Sequence, residues 1–226
     1  NTIKESNLER NLRYKYSDLP YYLLKYYLEA YYETSLQNIT QEHLYKRLGA
    51  NYTGYLPLTR FDSSQIAPTE NDQLWRRQVV RGYVHDQGAA MQGGIGGHAG
   101  LFSNANDVAK IMQAYLNGGS YGGEKFLDKE TINKYNTCYY CEDDVRRGVG
   151  FDKPQLGASG PTCNCVSMTS FGHSGFTGTF AWADPEEEIV YVFLSNRTFP
   201  DSNNRKLIRE DIRSEIQKVI YESIDF

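Results

Sequence analysis

Two runs near the C-terminus, Thr179 to Trp182 and Ile189 to Leu194, carry the β-branched and aromatic residues of strands, with Asp184-Pro185-Glu186-Glu187-Glu188 between them. A turn this short returns the chain on itself, so the two strands pair antiparallel as a hairpin. The segment that follows, about Asn204 to Glu222, places Ile208, Ile212, Ile216, Val219 and Ile220 on one side of a helix. A helix with one apolar stripe needs a face to cover, and the hairpin before it supplies one. Upstream, the chain reads mainly as helix and loop. A helical region of about residues 14–136, then antiparallel strands and a covering helix over about 145–226, makes the chain α+β.

Within the first region Leu23, Leu24, Tyr27, Leu28 and Tyr31 recur at helical spacing, and Pro20 suits that helix's first turn. A short helix is expected from Thr40, as N-cap, to Gly49. Residues 50–84 lack periodicity and read as irregular, turn-rich chain. Gly93-Gly94-Ile95-Gly96-Gly97 marks backbone passing close to something. Asn104 caps a helix to Leu116, with Asp107 returning the capping-box bond and Gly118-Gly119 ending it. Asp128 caps another through Tyr135, and Gly148 to Phe151 reads as a strand.

Charge narrows the function. The 24 Lys and Arg and 28 Asp and Glu are spread along the chain, for a net charge of −4. That argues against a nucleic-acid partner, which requires a concentrated basic face. The longest apolar run, Ile189 to Leu194, falls far short of the roughly 20 residues that span a bilayer. Asn1 to Asn7 is polar and lacks the apolar core of a signal peptide. With the motifs below, this leads us to expect a chain that begins inside a longer polypeptide.

Three segments carry candidate chemistry: Tyr16-Ser17-Asp18 at the mouth of a helix, the glycine stretch running into His98-Ala99-Gly100, and Phe171-Gly172-His173-Ser174-Gly175-Phe176. Gly172-His173-Ser174-Gly175 imitates a nucleophile elbow, but Phe176 stands where a glycine is needed, and the segment opens a strand. Ser174 is therefore not expected to be the nucleophile. In this order and spacing the segments resemble the serine β-lactamase and penicillin-binding-protein-like hydrolases, in the branch of class C β-lactamases and related esterases. Tyr16-Ser17-Asp18-Leu19 looks like that branch's Tyr-x-Asn segment, and Gly97-His98-Ala99-Gly100-Leu101-Phe102-Ser103 like its glycine-rich stretch. His173-Ser174-Gly175, followed by the Trp182-Ala183-Asp184-Pro185 turn and Leu194-Ser195-Asn196-Arg197, is similar to its Lys-Thr-Gly strand in a His-x-Gly form.

One departure matters. The family's nucleophile is the serine of a Ser-x-x-Lys motif upstream of the tyrosine segment. No serine in these 226 residues has lysine three positions later. The expectation is a C-terminal portion of a β-lactamase-like domain, inactive by itself, completed by an N-terminal part of the same polypeptide that supplies the serine and the first strands. The resemblance implies acyl transfer on an ester, peptide or β-lactam-like carbonyl of a small-molecule or peptidoglycan-like substrate, without a cofactor. It gives Tyr16 the proton relay, with nearby positive charge favouring its phenolate. Asp18 stands where an asparagine is usual, which leans the substrate away from β-lactams. His173 replaces a lysine, bringing a charge that is conditional around pH 6 to 7. Ser174 and Gly175 continue that strand, and the Phe176 N–H supplies half of an oxyanion hole, a donor whose loss typically costs about 3 kcal/mol. An extracytoplasmic location, periplasmic in a Gram-negative cell, follows from the family alone.

Plainer readings stand beside these. Asp18 also reads as a helix N-cap, His98 as a packed residue shaping the glycine turn, and His85-Asp86 as a loop hydrogen bond. Cys138, Cys141, Cys163 and Cys165 form two close pairs, readable as a structural Cys₄ zinc site or as two disulfides stapling the loop before the His173 strand. Spacing leaves that choice open. The alternative function is a non-catalytic binding or scaffolding module of a larger bacterial enzyme, in a fusion such as that with a family 3 β-N-acetylglucosaminidase. A fold lacking its first strands exposes apolar area, so self-association is expected.

Overall fold

The computed structural model describes residues 2–7, 14–143, 145–155 and 160–224. Its helices are α1 (Thr2–Glu5), α2 (Leu19–Tyr32), α3 (Leu36–Thr40), α4 (Gln87–Met91), α5 (Ala105–Leu116), α6 (Lys129–Asn136), α7 (Lys206–Arg209) and α8 (Ile212–Glu222). Strands β1 (Pro68–Asp72) with β2 (Gln78–Arg81), and β3 (Ser120–Tyr121) with β4 (Glu124–Lys125), make two small hairpins. The main sheet is β5 (Phe171–Ser174), β6 (Phe180–Asp184) and β7 (Ile189–Phe193), antiparallel in that order.

The expected hairpin is β6–β7, with Trp182 opposite Tyr191 and Phe180 opposite Phe193. Strand alternation sends these four rings to one face, where Val166 and Ile220 of α8 pack on them. Ala181, Ala183 and Val190 turn to the other face and meet Met112, Val108, Tyr115 and Leu116 of α5, with Phe171 and Phe151. The sheet is thus held between α5 and α8. Gly172 of β5 lies opposite Trp182, and a Cβ there would stand 2.4 Å from Cε3 of the indole and 2.2 Å from the Ala181 carbonyl. Only glycine lets the strand carrying His173 sit this close to its neighbour.

Several local expectations are corrected. Residues 50–84 contain the β1–β2 hairpin, whose loop Asp72 organises by accepting from the Leu74, Trp75 and Arg76 amides and from Arg76 Nε. After Pro68 β1 is wholly polar, and β2 sets Val79 and Val80 side by side, so no apolar alternation announced them. Thr40 is not an N-cap. Ser35 caps α3 by accepting from the Asn38 amide, and the helix runs past Thr40 into a π-helical turn at Gln41–Tyr45. Asn104 does cap α5, but Asp107 returns no bond; it is buried and accepts from the Tyr52 amide and Lys110 Nζ. Asp128 precedes α6 without a capping bond and pairs with Lys125 instead. Residues 148–151 form a tight turn between the Arg147 and Asp152 bridge positions rather than a strand.

The final helix is broken at Asp211, whose φ of 45° separates α7 from α8. Only part of its isoleucine stripe meets the core, Ile220 packing on the sheet. Gln217 and Tyr221 face inward, while Ile216 and Val219 are exposed. The reason is polar: the Tyr221 hydroxyl donates to buried Asp184, whose carboxylate also takes the Ser167 amide and hydroxyl, and Gln217 accepts from the Cys163 amide. A buried carboxylate needs those donors more than the sheet needs another isoleucine. Helix α2, by contrast, has no buried residue, leaving Leu23, Leu24, Tyr27 and Tyr31 exposed.

The cysteines are closed as Cys138–Cys141 and Cys163–Cys165 disulfides. Paired sulfurs have no thiolate to offer zinc. Each bond spans three residues or fewer in sequence, so neither staples distant segments together. Among the described residues no helix is long and apolar enough to cross a membrane.

Candidate active site

A cleft of about 610 Å³ opens at the end of the main sheet, lined on one side by Tyr14 and Tyr16 and on the other by His173, Ser174, Gly175 and Phe176. That volume lies in the usual range for small-ligand sites. Arg147 and Asp152 stand between the two sides, and Arg197, Arg205 and Arg213 close the far end.

The tyrosine side is positioned through α2. The Ser17 hydroxyl accepts from the Leu19 amide at the start of the helix; Asp18 occupies the N-cap position, its carbonyl taking the Tyr21 and Tyr22 amides, but its side chain makes no capping bond. The glycine stretch packs directly on this helix: a Cβ on Gly97 would meet the Tyr21 carbonyl at 2.6 Å, and Lys25 Nζ donates to the Ile95 carbonyl. His98 completes the junction, with its ring 4.7 Å from that of Tyr22 and its Nε2 2.8 Å from Asp86 Oδ1. Asp86 also caps α4 by accepting from the Ala89 amide. Asp18 is absent from the cleft lining and belongs to this junction instead, its carboxylate, Asp86 and His98 offering ligand atoms all within 4.8 Å. This is the one cluster with metal-ligand spacing among the described residues, but His98 Nε2 is already committed to Asp86. His85 and His173 are not part of it.

The strand side carries an unexpected cation. Arg147 donates from Nη2 to His173 Nε2 at 2.6 Å and from Nε to Asp152 Oδ1 at 2.6 Å. His173 Nδ1 lies 2.8 Å from the Ser174 carbonyl oxygen. A guanidinium cannot accept and a carbonyl cannot donate, so the ring carries its proton on Nδ1 and accepts at Nε2. The same guanidinium sits 5.0 Å from the centroid of the Tyr16 ring. The Tyr16 hydroxyl is nevertheless held above its ordinary pKa: burial dominates, the Asp18 charge adds to it, and Arg147 only partly offsets them. The expected lowering toward phenolate is therefore reversed in this chain. Burial is the strongest influence on Arg147 and acts to lower it, but the bond to Asp152, the Asp152 charge, Tyr14 and Tyr16 together outweigh it, raising it.

Beyond Ser174 the chain turns tightly. The Gly175 amide donates to the Thr179 carbonyl at 2.8 Å and the Gly178 amide to the Gly175 carbonyl at 3.0 Å, while the Phe176 amide has no partner among the described residues. The Phe176 ring stacks on His85 at 4.9 Å, under Arg197 at 4.3 Å. His85 in turn has Nδ1 3.0 Å from Glu70 Oε1, without hydrogen-bond geometry. Among the described residues no base is hydrogen-bonded to the Ser174 hydroxyl: of the adjacent imidazole's nitrogens, Nε2 is taken by Arg147 and Nδ1 by the Ser174 backbone carbonyl.

Sequence reasoning missed Arg147, Asp152, Arg205 and Arg213. The only trace of the first two was the Arg146-Arg147 doublet returning through a short turn to Asp152, which by itself reads as solvated charge. Arg197 was visible inside the Leu194–Arg197 segment.

An α+β fold with a sheet covered on both faces and a cleft at the strand end places the molecule among penicillin-binding-protein and β-lactamase folds. A β-lactamase from Mycobacterium bovis aligns with a TM-score of 0.60 at 18% identity, covering 91% of this chain and 64% of that one. A penicillin-binding protein from Bacillus halodurans aligns at 0.62 and 15% identity, covering 94% and 58%. At the sequence level the chain is 35% identical over 210 residues to an Escherichia coli K12 protein named "Putative D-alanyl-D-alanine carboxypeptidase", covering 86% of this chain and 48% of the relative. A Salmonella gallinarum protein of the same name is 34% identical over 220 residues, covering 91% and 50%. The chain thus spans about half the length of these curated relatives. The β-lactamase family model matches residues 7–213, and the chain belongs to that family.

Proposed function

We propose that this chain supplies the proton-relay and oxyanion side of an acyl-transferring serine hydrolase, with the attacking serine and its lysine contributed by a part of the polypeptide preceding residue 1. The observation that carries the reading is the shared cleft: Tyr16 and the His173–Phe176 strand end line one cavity, and the Phe176 amide has no partner among the described residues. In this reading Tyr16, with its hydroxyl protonated at neutral pH, passes a proton between the attacking serine and the leaving group. The Phe176 N–H stabilises the oxyanion. Arg147 supplies the fixed positive charge beside the strand, with His173 as its oriented neighbour. The relatives' name points to peptides ending in D-alanyl-D-alanine as the substrate class, with esters sharing the same chemistry. The two disulfides favour an oxidising, extracytoplasmic setting.

The exposed apolar residues of α2 (Leu23, Leu24, Tyr27 and Tyr31), with Ile216 and Val219 of α8, fit a surface that the remainder of the domain covers. The test is acylation of the full-length polypeptide by an activated ester, followed by peptide mapping. The expected adduct is on a serine of a Ser-x-x-Lys segment outside these residues. An adduct on Ser174, or no adduct from an intact full-length protein, overturns the reading.

A further inference from the structure

We propose that the far end of the cleft, formed by Arg197, Arg205 and Arg213, is an anion subsite for a substrate group bearing two negative charges, a phosphate or a pair of carboxylates. The ligand's status as substrate rests on the hydrolase reading above; the chemistry of the subsite does not.

The three arginines come from separate segments: the loop after β7, the residue before α7, and the first turn of α8. All line the same cavity. Arg197 is held by the Ser202 carbonyl at 3.2 Å and by the Phe176 ring at 4.3 Å. Arg213 is held by the Thr179 carbonyl at 3.3 Å and lies 5.5 Å from the Phe180 ring centroid. Carbonyls and ring faces orient a guanidinium without cancelling its charge. Among the described residues no carboxylate lies within 4.0 Å of any of the three, whereas Arg147 at the near end is matched by Asp152 at 2.6 Å. The like charges act on one another. Burial and then Arg205 lower Arg197 from the ordinary guanidinium value; burial lowers Arg213 most, and Arg197 adds to it against Tyr191 and a smaller, longer-range pull from Asp211, which is not within ion-pair distance.

Such a cluster is unfavourable until something neutralises it. One carboxylate satisfies one guanidinium fork, so three unmatched guanidiniums call for a ligand with more than one charge. Phe176, whose amide has no partner among the described residues, carries Arg197 on its ring, so the charged group lies next to the reacting carbonyl rather than at a remote surface.

Calorimetric titration of the full-length polypeptide with inorganic phosphate, glutarate and acetate at constant ionic strength tests this. Phosphate or glutarate is expected to bind at least about tenfold more tightly than acetate. The tighter of the two identifies the group. Arg205→Gln and Arg213→Gln are each expected to weaken that ligand about fivefold or more. Arg209→Gln, in the exposed Arg209–Glu210 pair outside the cavity, is expected to change it less than twofold. Equal binding of acetate, or an Arg209→Gln effect matching that of Arg205→Gln, overturns the proposal. Acylation with no anion preference defeats the subsite alone, and anion binding without acylation defeats the hydrolase reading alone.

Discussion

Arg147 donates to His173 Nε2 across 2.6 Å, so the positive charge at the strand end belongs to the arginine and not to the imidazole beside it. The histidine is a fixed lone pair, held by its Nδ1 contact with the Ser174 carbonyl. Replacing Arg147 with methionine strands both His173 and Asp152. Hydrogen bonds to charged groups contribute about 1.5–3 kcal/mol, so kcat/KM of the full-length protein toward a peptide or ester substrate should fall roughly 10- to 100-fold. Steady-state kinetics check this, and Arg147→Lys should recover part of the loss.

Tyr16 is 60% exposed and contributes little to the core. Tyr16→Phe should leave the melting temperature unchanged and reduce kcat by about 10²- to 10⁴-fold, the usual range for a lost proton-transfer group. A variant with full kcat would remove Tyr16 from the mechanism.

Gly172→Ala puts a methyl group against the Ala181 carbonyl and the Trp182 indole, neither of which can move without opening the sheet. Urea unfolding should show a loss of about 1–3 kcal/mol or more, as for overpacked cores. Activity should fall with it, because His173 is the next residue on the strand.

Lys153 is buried, donating to the Thr169 carbonyl at 2.7 Å and Asn136 Oδ1 at 3.1 Å. Burial first, and Arg146 second, bring its pKa down from 10.5 to about 8. The unfolded chain therefore holds this proton at pH values where the folded chain has released it. Stability gains as pH rises from about 8 toward 10, by on the order of 2 kcal/mol. Higher still, tyrosines held protonated reverse the trend, Tyr55 being pushed up to about 12 chiefly by burial. Chemical denaturation at pH 7.5, 8.5 and 9.5 should show the rise, and Lys153→Met should abolish it.

Residues 1–226 expressed alone should self-associate through the exposed faces of α2 and α8. Sedimentation velocity should detect oligomers that Leu23→Lys with Leu24→Lys reduces. A monomer at all concentrations would mean that these faces need no cover.

The amino-acid order alone was enough for the antiparallel hairpin, the helix from Ala105 to Leu116, the α+β class and the family. Each depends on local periodicity, on turn residues, or on motifs that keep their spacing along the chain. The sequence also named both walls of the cleft, Tyr16 and His173–Phe176. It did not reveal that Asp18 joins Asp86 and His98, or that α8 buries Gln217 and Tyr221 beside Ile220 while Ile216 and Val219 stay exposed. Nor did it reveal which cysteines pair, or that Arg147 and the Arg197–Arg205–Arg213 group converge on the cleft. Those outcomes depend on which charges and buried polar groups meet across long sequence separations. A carboxylate such as Asp184 takes whichever donors the fold brings within reach, and only the assembled structure decides which those are.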